Sequence, residues 1–327
     1  MKKSLLALAA LTAFTGAVSA QSNVTMYGRV DLSVNKNVGD ASKGINNGSG
    51  SRLGLRGSED LGGGMAAIFN IENRFNADTG AQSDATRMWG GRSLVGLKGG
   101  FGQVTLGREY STAFLGSQLI NDPWGWDTVV AGGLNIALTG GGIVRVRNDS
   151  AVTYNVSMAG FSFGAQIAEA TDALTSLQKK PYNFSAGYAA GPVTVNFGYD
   201  KTGAVGVAAA DWTTLGGTFN LGVVKLGAMV GTGKTSANDK RQSVMLTAVG
   251  VLGQGELRGS VGQLTSDPAG AAPKVTTNKG FAVGYHYALS KRTTLYTDYV
   301  RNTGTGGMFG LVGTEKSGYD FGIKHNF

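Results

Sequence analysis

The chain has 327 residues, among them 54 Gly, 5 Pro and no Cys, and carries a formal net charge of +8. Without Cys it can form neither disulfides nor thiol-based metal or redox centres, and we expect no cofactor and no bound metal. The Gly content is far above the usual ~7%, yet there is no three-residue Gly period, which excludes collagen and favours many strands joined by tight turns.

The first predicted element is an export leader. Lys2 and Lys3 give a basic start, residues 4–14 are apolar, and Val18, Ser19 and Ala20 form a small-residue cleavage site. The apolar stretch is about half of the ~20 residues that a helical membrane span needs. We therefore predict a cleaved signal peptide over residues 1–20 and a single mature domain over residues 21–327.

The mature domain begins with a strand in which apolar and polar residues alternate. Removing the leader lowers the net charge from +8 to +6, and without a nucleic-acid motif this surplus points to anionic solutes or anionic lipid. In residues 24–32 one face is apolar and the other polar, as expected for a strand between two different environments. The apolar face holds Val24, Met26, Val30 and Leu32, and the polar face holds Thr25, Tyr27, Arg29 and Asp31.

The same alternation recurs to the end of the chain and predicts about sixteen strands. Short connections such as residues 99–102, 158–160, 190–192 and 252–254 alternate with long polar ones such as residues 35–50, 169–180, 201–211, 265–279 and 301–317. Short turns at one end and long loops at the other are typical of all-β transmembrane antiparallel barrels. Because sixteen strands enclose a space too wide for side chains to fill, we expect the polar face to line the inside.

Three segments and the end of the chain resemble a known family. They are SRLGLRGSEDLGGG at 51–64, residues 90–107, residues 285–293 and the terminal GIKHNF. These resemble the trimeric sixteen-stranded general porins of Gram-negative bacteria, in particular the β-proteobacterial type. The resemblance implies an outer-membrane homotrimer surrounded by lipid and lipopolysaccharide, with long extracellular loops, short periplasmic turns and a third loop folded into the lumen. It also implies that Phe327 is read as the assembly signal.

The resemblance further implies where an ion pathway lies. The longest connection, about residues 109–142, fits the third loop, and its Asp122 and Asp127 would face the wall. Anion-selective members of the family carry an arginine cluster opposite a few loop carboxylates. Arg52 and Arg92 match best by motif position and Arg147 comes next, with Glu72 and Asp127 as acidic counterparts. Further arginines with inward parity are Arg56, Arg74 and Arg145.

Other interpretations remain open from the sequence. Each arginine could pair with an acid nearby, as Arg29 with Asp31 or Arg74 with Glu72. A hydrolase barrel would need a histidine beside a nucleophile, but the sequence contains only His286 and His325. We interpret His286 as a residue of the barrel wall whose hydrogen bonds are satisfied there. The function predicted is passive diffusion of small hydrophilic solutes, preferentially anions. The alternatives are a channel with a saturable site for one anion and a barrel blocked by its own loops.

Overall fold

The computed structural model describes residues 23–143, 145–169, 180–203, 209–305 and 315–327. The predicted signal peptide lies outside these residues, as does most of the 169–180 connection. The strands are β1 Asn23–Lys36, β2 Gly44–Asn47, β3 Ser51–Gly62, β4 Met65–Phe75, β5 Arg92–Gly99, β6 Gly102–Tyr110, β7 Arg147–Met158, β8 Phe161–Ala168, β9 Tyr182–Ala190, β10 Val193–Lys201, β11 Asp211–Asn220, β12 Val224–Lys234, β13 Lys240–Leu252, β14 Gly255–Asp267, β15 Val275–Ala288, β16 Thr293–Asn302 and β17 Ser317–Asn326.

Among the described residues, sixteen of these strands form a closed antiparallel barrel, as predicted. Each pairs with its sequence neighbours, and β1 closes the ring by pairing with both β3 and β17. The short β2 pairs with the C-terminal part of β1. It lies in line with β3, from which a break at residues 48–50 separates it. A closed ladder satisfies every backbone donor and acceptor without leaving an edge, which is what a lipid environment requires.

Two loop boundaries predicted from the sequence are wrong. The 35–50 segment contains β2, and the 265–279 connection shrinks to 268–274 because β14 and β15 continue past it. Both errors have one cause, since these strand segments are almost entirely polar apart from Ile45 and Val275 and show too little alternation to be recognised as strands. Strands that extend into water beyond the membrane need no apolar face.

The outward faces of the strands are apolar. Val24, Met26 and Phe321 are each more than 60% exposed, and similar Val, Leu, Ile and Phe residues surround the barrel. Aromatic pairs lie close to both ends, such as Phe161 with Tyr188 near the short turns, whose ring centroids are 4.4 Å apart. Such a band is unstable in water and suits a bilayer. No described helix is long and apolar enough to cross a membrane.

The chain end closes the barrel at the short-turn end. The backbone of Phe327 exchanges two hydrogen bonds with Gly28 of β1, at 3.0 and 3.1 Å. The Phe327 ring lies against Gly28 so closely that a Cβ added there would come within 2.3 Å of Cζ. The residue that the family resemblance implies as an assembly signal is thus part of the seam between the first and last strands.

The connection between β6 and β7, residues 111–146, folds into the barrel, and we call it the inner loop. It contains four short helices, α1 Phe114–Gln118, α2 Thr128–Val130, α3 Ala131–Asn135 and α4 Ile136–Gly140. Helix α1 contacts β8–β11, and α2–α4 contact β11–β17. The inner loop therefore covers more than half of the inner wall and leaves the β1–β7 side open.

An apolar core lies inside the barrel, between the inner loop and the wall. Loop residues such as Leu134 and Leu138 pack on wall residues such as Trp212, Met245 and Leu264, and all five are fully buried. The sequence predicts that the polar face lines the inside, so this inward apolar patch is a departure from the prediction. The physical reason for the apolar patch is that the inner loop covers this part of the wall and excludes water from it, so apolar side chains are favoured there.

Polar contacts attach the inner loop to the barrel wall near its start, its middle and its end. Near its start, Ser111 donates to Asp200 at 2.8 Å. Near its middle, the Trp124 indole donates to Asp298 at 2.7 Å, and at its end the Trp212 indole donates to the Thr139 carbonyl at 2.8 Å. Buried polar groups matched in this way cost little and fix a single arrangement. These hydrogen bonds therefore hold the inner loop in one position, where it divides the lumen.

Candidate functional site

A cavity of about 560 Å³ lies between the inner loop and the open β1–β7 wall. The wall side comes from inward positions of β1, β3, β4, β5, β6 and β7, and the other side comes from the inner loop. Its lining includes Tyr27, Arg29, Arg52, Arg56, Asn70, Glu72, Arg74, Arg92, Tyr110, Phe114, Trp126, Asp127 and Arg147. Of the described residues that line it, six are arginines and two are carboxylates, which gives the lining a net charge of +4.

Five of the six arginines predicted from parity lie on this wall. They are Arg52 and Arg56 on β3, Arg74 on β4, Arg92 on β5 and Arg147 at the start of β7. They converge because period 2 places alternate residues of neighbouring strands on one face. Arg145 does not join them: it precedes β7, is exposed and lies outside the cavity lining.

The arginines differ in how far acids neutralise them. Arg74 pairs with Glu72 at 2.7 Å, which was one of the open alternatives, and Arg92 pairs with Glu109 at 2.8 Å. Within the described part of the chain, Arg52 and Arg56 make no ion pair: Arg52 donates to the Gly50 carbonyl and Arg56 lies over the Tyr27 ring. Among the described residues Arg147 makes no ion pair either and donates to the Tyr110 hydroxyl, so these three guanidinium groups contribute unneutralised charge to the cavity.

The predicted acids fall into different places. Glu72 is on the wall beside Arg74, and Asp127 of the inner loop faces the cavity and pairs with Arg29 at 3.1 Å. The suggested Arg29–Asp31 pair is wrong, because the Asp31 carboxylate accepts from Ser49 and Tyr296 instead.

Asp122 needs a correction as well. Its carboxylate accepts from the backbone of Trp124 and Trp126 and from the Asn135 amide at 2.7 Å, so it holds the inner loop together from within. It is buried and does not line the cavity, which removes it from the predicted pathway residues.

Sequence reasoning missed Tyr110, which lines the cavity, and Glu109, which pairs with the lining residue Arg92. Tyr110 is the last residue of β6, and Arg74 and Arg147 both donate to its hydroxyl, Arg147 at 2.6 Å. Glu109 keeps the inward parity of Thr105, but Tyr110 shares the parity of the outward Leu106 and still lines the cavity, next to a register shift between β6 and β7 after Gly107. That irregularity is a property of the folded ladder, and the spacing of residue types does not reveal it.

The two histidines do not form a hydrolytic site. Nε2 of His286 lies 3.1 Å from Asp298 on the buried wall, and its ring stacks on Tyr296. His325 lies beside Thr293 on an exposed face near the chain end. A serine hydrolase needs a base within reach of an activated hydroxyl in an accessible pocket, and neither environment resembles one.

The charge on Asp127 should respond to mild acid. Burial raises the pKa of this carboxyl to about 6, although Arg29 and Lys324 beside it favour the charged form. As the pH falls through 6, Asp127 takes up a proton and the cavity lining becomes more positive. We therefore expect the anion-to-cation permeability ratio, measured as a reversal potential, to rise between pH 7 and pH 5. Asp127→Asn should show the higher ratio at both pH values, and an unchanged pH response in this variant would contradict the assignment.

The model of the Gram-negative porin family matches residues 7–307. The chain is 32% identical to outer membrane porin protein 32 of Delftia acidovorans and 31% identical to an outer membrane porin protein of Bordetella pertussis, each alignment covering 100% of both proteins. Among solved structures, an anion-selective porin from Comamonas acidovorans matches with a TM-score of 0.71 and 29% identity, over 94% of this chain and 100% of that one.

A trimeric form of OmpT from Vibrio cholerae matches the fold with a TM-score of 0.74 at 16% identity, over 94% of this chain and 99% of that one. These likenesses agree with a closed antiparallel barrel of sixteen strands. The chain belongs to the Gram-negative porin family, whose members are channels, and it is an outer-membrane β-barrel.

Proposed function

We propose that this porin conducts small anions in preference to cations through the gap between the inner loop and the β1–β7 wall. The observation that carries the proposal is the cavity lining, with its net charge of +4 and three arginines, Arg52, Arg56 and Arg147, that pair with no acid among the described residues. The solved porin from Comamonas acidovorans, described as anion-selective, supports it.

The selectivity would come from the shape of the open space as much as from the number of charges. The inner loop confines ions to one side of the lumen, against the wall that carries the arginines. A narrow passage in a low-dielectric wall focuses the field of fixed charges and concentrates counter-ions by several kT. At an effective dielectric of ~20, an anion 4 Å from one guanidinium gains about 4 kcal/mol, and less in a wetter passage. Several weak stations of this kind let an anion enter and also leave.

Three wider features belong to the same proposal. We infer that the protein works as a homotrimer, since the Vibrio cholerae relative of the same fold forms a trimer. We infer that residues 1–20 are removed during export, and that lipid and lipopolysaccharide surround the apolar band. The fixed passage favours passive diffusion of small hydrophilic solutes.

Single-channel recording in a planar bilayer tests the proposed function. Under a potassium chloride gradient, the sign of the reversal potential should show chloride moving faster than potassium. The preference should fade as salt rises, because mobile ions screen charges over ~10 Å at 0.1 M and ~3 Å at 1 M. A cation preference or the absence of open currents would overturn the proposal, and full block by one anion at low concentration would favour a channel dedicated to that anion.

A further inference from the structure

Tyr110 lies at the centre of the arginine wall. It ends β6, and its ring is 4.8 Å from Cζ of Arg92 and 4.2 Å from Cζ of Arg147. Its hydroxyl oxygen accepts hydrogen bonds from Arg74 and from Arg147, the latter at 2.6 Å. One side chain thus contacts three arginines that come from three different strands.

These contacts counteract the repulsion between the arginines. The face of an aromatic ring carries partial negative charge and attracts a guanidinium group, and a phenol oxygen accepts hydrogen bonds from two donors. Tyr110 therefore gives Arg74, Arg92 and Arg147 a shared partner without cancelling their charge, as a carboxylate would. The arginines stay charged and keep their places.

The ring of Tyr110 is itself fixed from the side of the inner loop. It stacks on Phe114 with ring centroids 5.5 Å apart, and Phe114 in turn meets the edge of Trp126 at 4.8 Å. Tyr110 therefore connects the inner loop to the arginines, because its ring packs on the loop and also contacts the guanidinium groups. A stiff support of this kind keeps a binding geometry constant while ions pass.

The hydroxyl of Tyr110 can also act as a hydrogen-bond donor. Both of its side-chain hydrogen bonds use the oxygen as acceptor, so its own proton is free to be donated, and no described residue accepts it. Tyr110 lines the cavity, so that proton is available to a solute there.

We propose that Tyr110 is a specificity-determining residue of the passage, which holds three arginines in place and donates its hydroxyl proton to an oxyanion in transit. An oxyanion offers several acceptor oxygens at once, so phosphate or a carboxylate gains both the hydroxyl and the adjacent guanidinium donors. Chloride gains mainly the electrostatic attraction to the arginines. This inference rests on the proposed anion conduction and adds a preference among anions to it.

Tyr110→Phe tests the hydroxyl, both as the proposed donor to the oxyanion and as the acceptor for Arg74 and Arg147, because it removes this group and keeps the ring. The probe is inorganic phosphate, added to the intact porin in a planar bilayer that carries chloride current. Wild type should show a concentration-dependent reduction of the chloride current by phosphate. In Tyr110→Phe the phosphate concentration that halves the current should rise about tenfold, since a hydrogen bond to a charged group is lost. The anion-to-cation ratio should change much less, because the ring still holds Arg92 and Arg147.

Tyr154→Phe is the matched control, since the Tyr154 hydroxyl donates to the Phe101 carbonyl on the outer face, far from the cavity. It should behave as wild type. A second variant, Tyr110→Leu, removes the ring as well and should also lower the anion-to-cation ratio; if Tyr110→Phe fails to assemble, Tyr110→Leu and Tyr110→Trp still test whether phosphate block depends on this position.

Two results would overturn the inference: no reduction of current by phosphate in wild type, or equal reduction in Tyr110→Phe and Tyr154→Phe. Either could occur in a channel that still prefers chloride over potassium, so the proposed function would then stand without it. Loss of anion preference in wild type itself would instead reject the proposed function.

Discussion

Replacing Arg52, Arg92 and Arg147 together by serine should abolish the anion preference. The lining falls from a net charge of +4 to +1, and removal of Arg92 also leaves Glu109 without its partner at 2.8 Å. Because Glu109 then contributes an unpaired negative charge beside the passage, the fixed charges nearly cancel. We expect the anion-to-cation permeability ratio at ~0.1 M salt to drop to about one, where screening is still incomplete. Reversal potentials under a salt gradient measure this directly.

The matched control removes the same number of cations from elsewhere. Lys225, Lys234 and Lys240 are exposed and lie outside the cavity lining, so their joint replacement by serine should leave the ratio close to that of wild type. If the arginine variant keeps its anion preference while it still forms open channels, the wall does not select ions. If the lysine variant loses the preference equally, the overall charge of the protein selects them, and the passage does not.

The barrel was predictable because one physical pattern determines it. A strand between lipid and water must alternate, and β1, β4 and the terminal β17 show this in the residues themselves. The same parity placed Arg52, Arg56, Arg74, Arg92 and Arg147 on one wall. Parity is a local property, so it can be read before the fold is known. It fails where β14 ends and β15 begins, because apart from Val275 the residues there are polar and show no alternation.

The contacts that set the charge of each arginine were not predictable. Arg29 meets Asp127, which lies 98 residues away on the inner loop. Arg92 meets Glu109 across the regular β5–β6 ladder, in which Ser93 pairs with Arg108, and this contact depends on a strand register that the residue types alone do not give. Proximity in sequence had suggested Asp31 for Arg29. Local spacing carries no information about which distant segment folds against a wall, and that choice decides how much charge remains free.

The inner loop was predicted from its length, but its apolar contact with the wall was not. On β13 the inward Met245 stands between the outward Val244 and Leu246, so both faces are apolar and the alternation disappears. Read alone, that run suits a strand buried on both sides. Its inward side is buried by the inner loop, and its outward side is exposed apolar surface of the kind that suits a bilayer.

Leu138→Asp should release the inner loop from this wall and widen the passage. Leu138 is fully buried among Trp212, Met245 and Leu264, and an unpaired carboxylate placed there costs several kcal/mol. The barrel ladder does not depend on that contact, because its strands hydrogen-bond to one another around the ring. Helices α2–α4 would therefore leave the wall while the barrel stays closed. We expect single-channel conductance in 1 M potassium chloride to rise by about twofold or more, since conductance follows the open area of the lumen.

Ile120→Asp provides the comparison, because it makes the same chemical change in the same loop at a side chain that is 49% exposed. In 1 M salt its added charge is screened within ~3 Å, so its conductance should stay near that of wild type. The wider lumen of Leu138→Asp should also weaken the anion preference in dilute salt, because charges on one wall act less strongly across a larger opening. Wild-type conductance in Leu138→Asp channels that assemble normally would contradict this role for the apolar contact. The polar contacts of the inner loop with the wall, such as those at Asp200, Asp298 and Trp212, would then be sufficient to hold it in place.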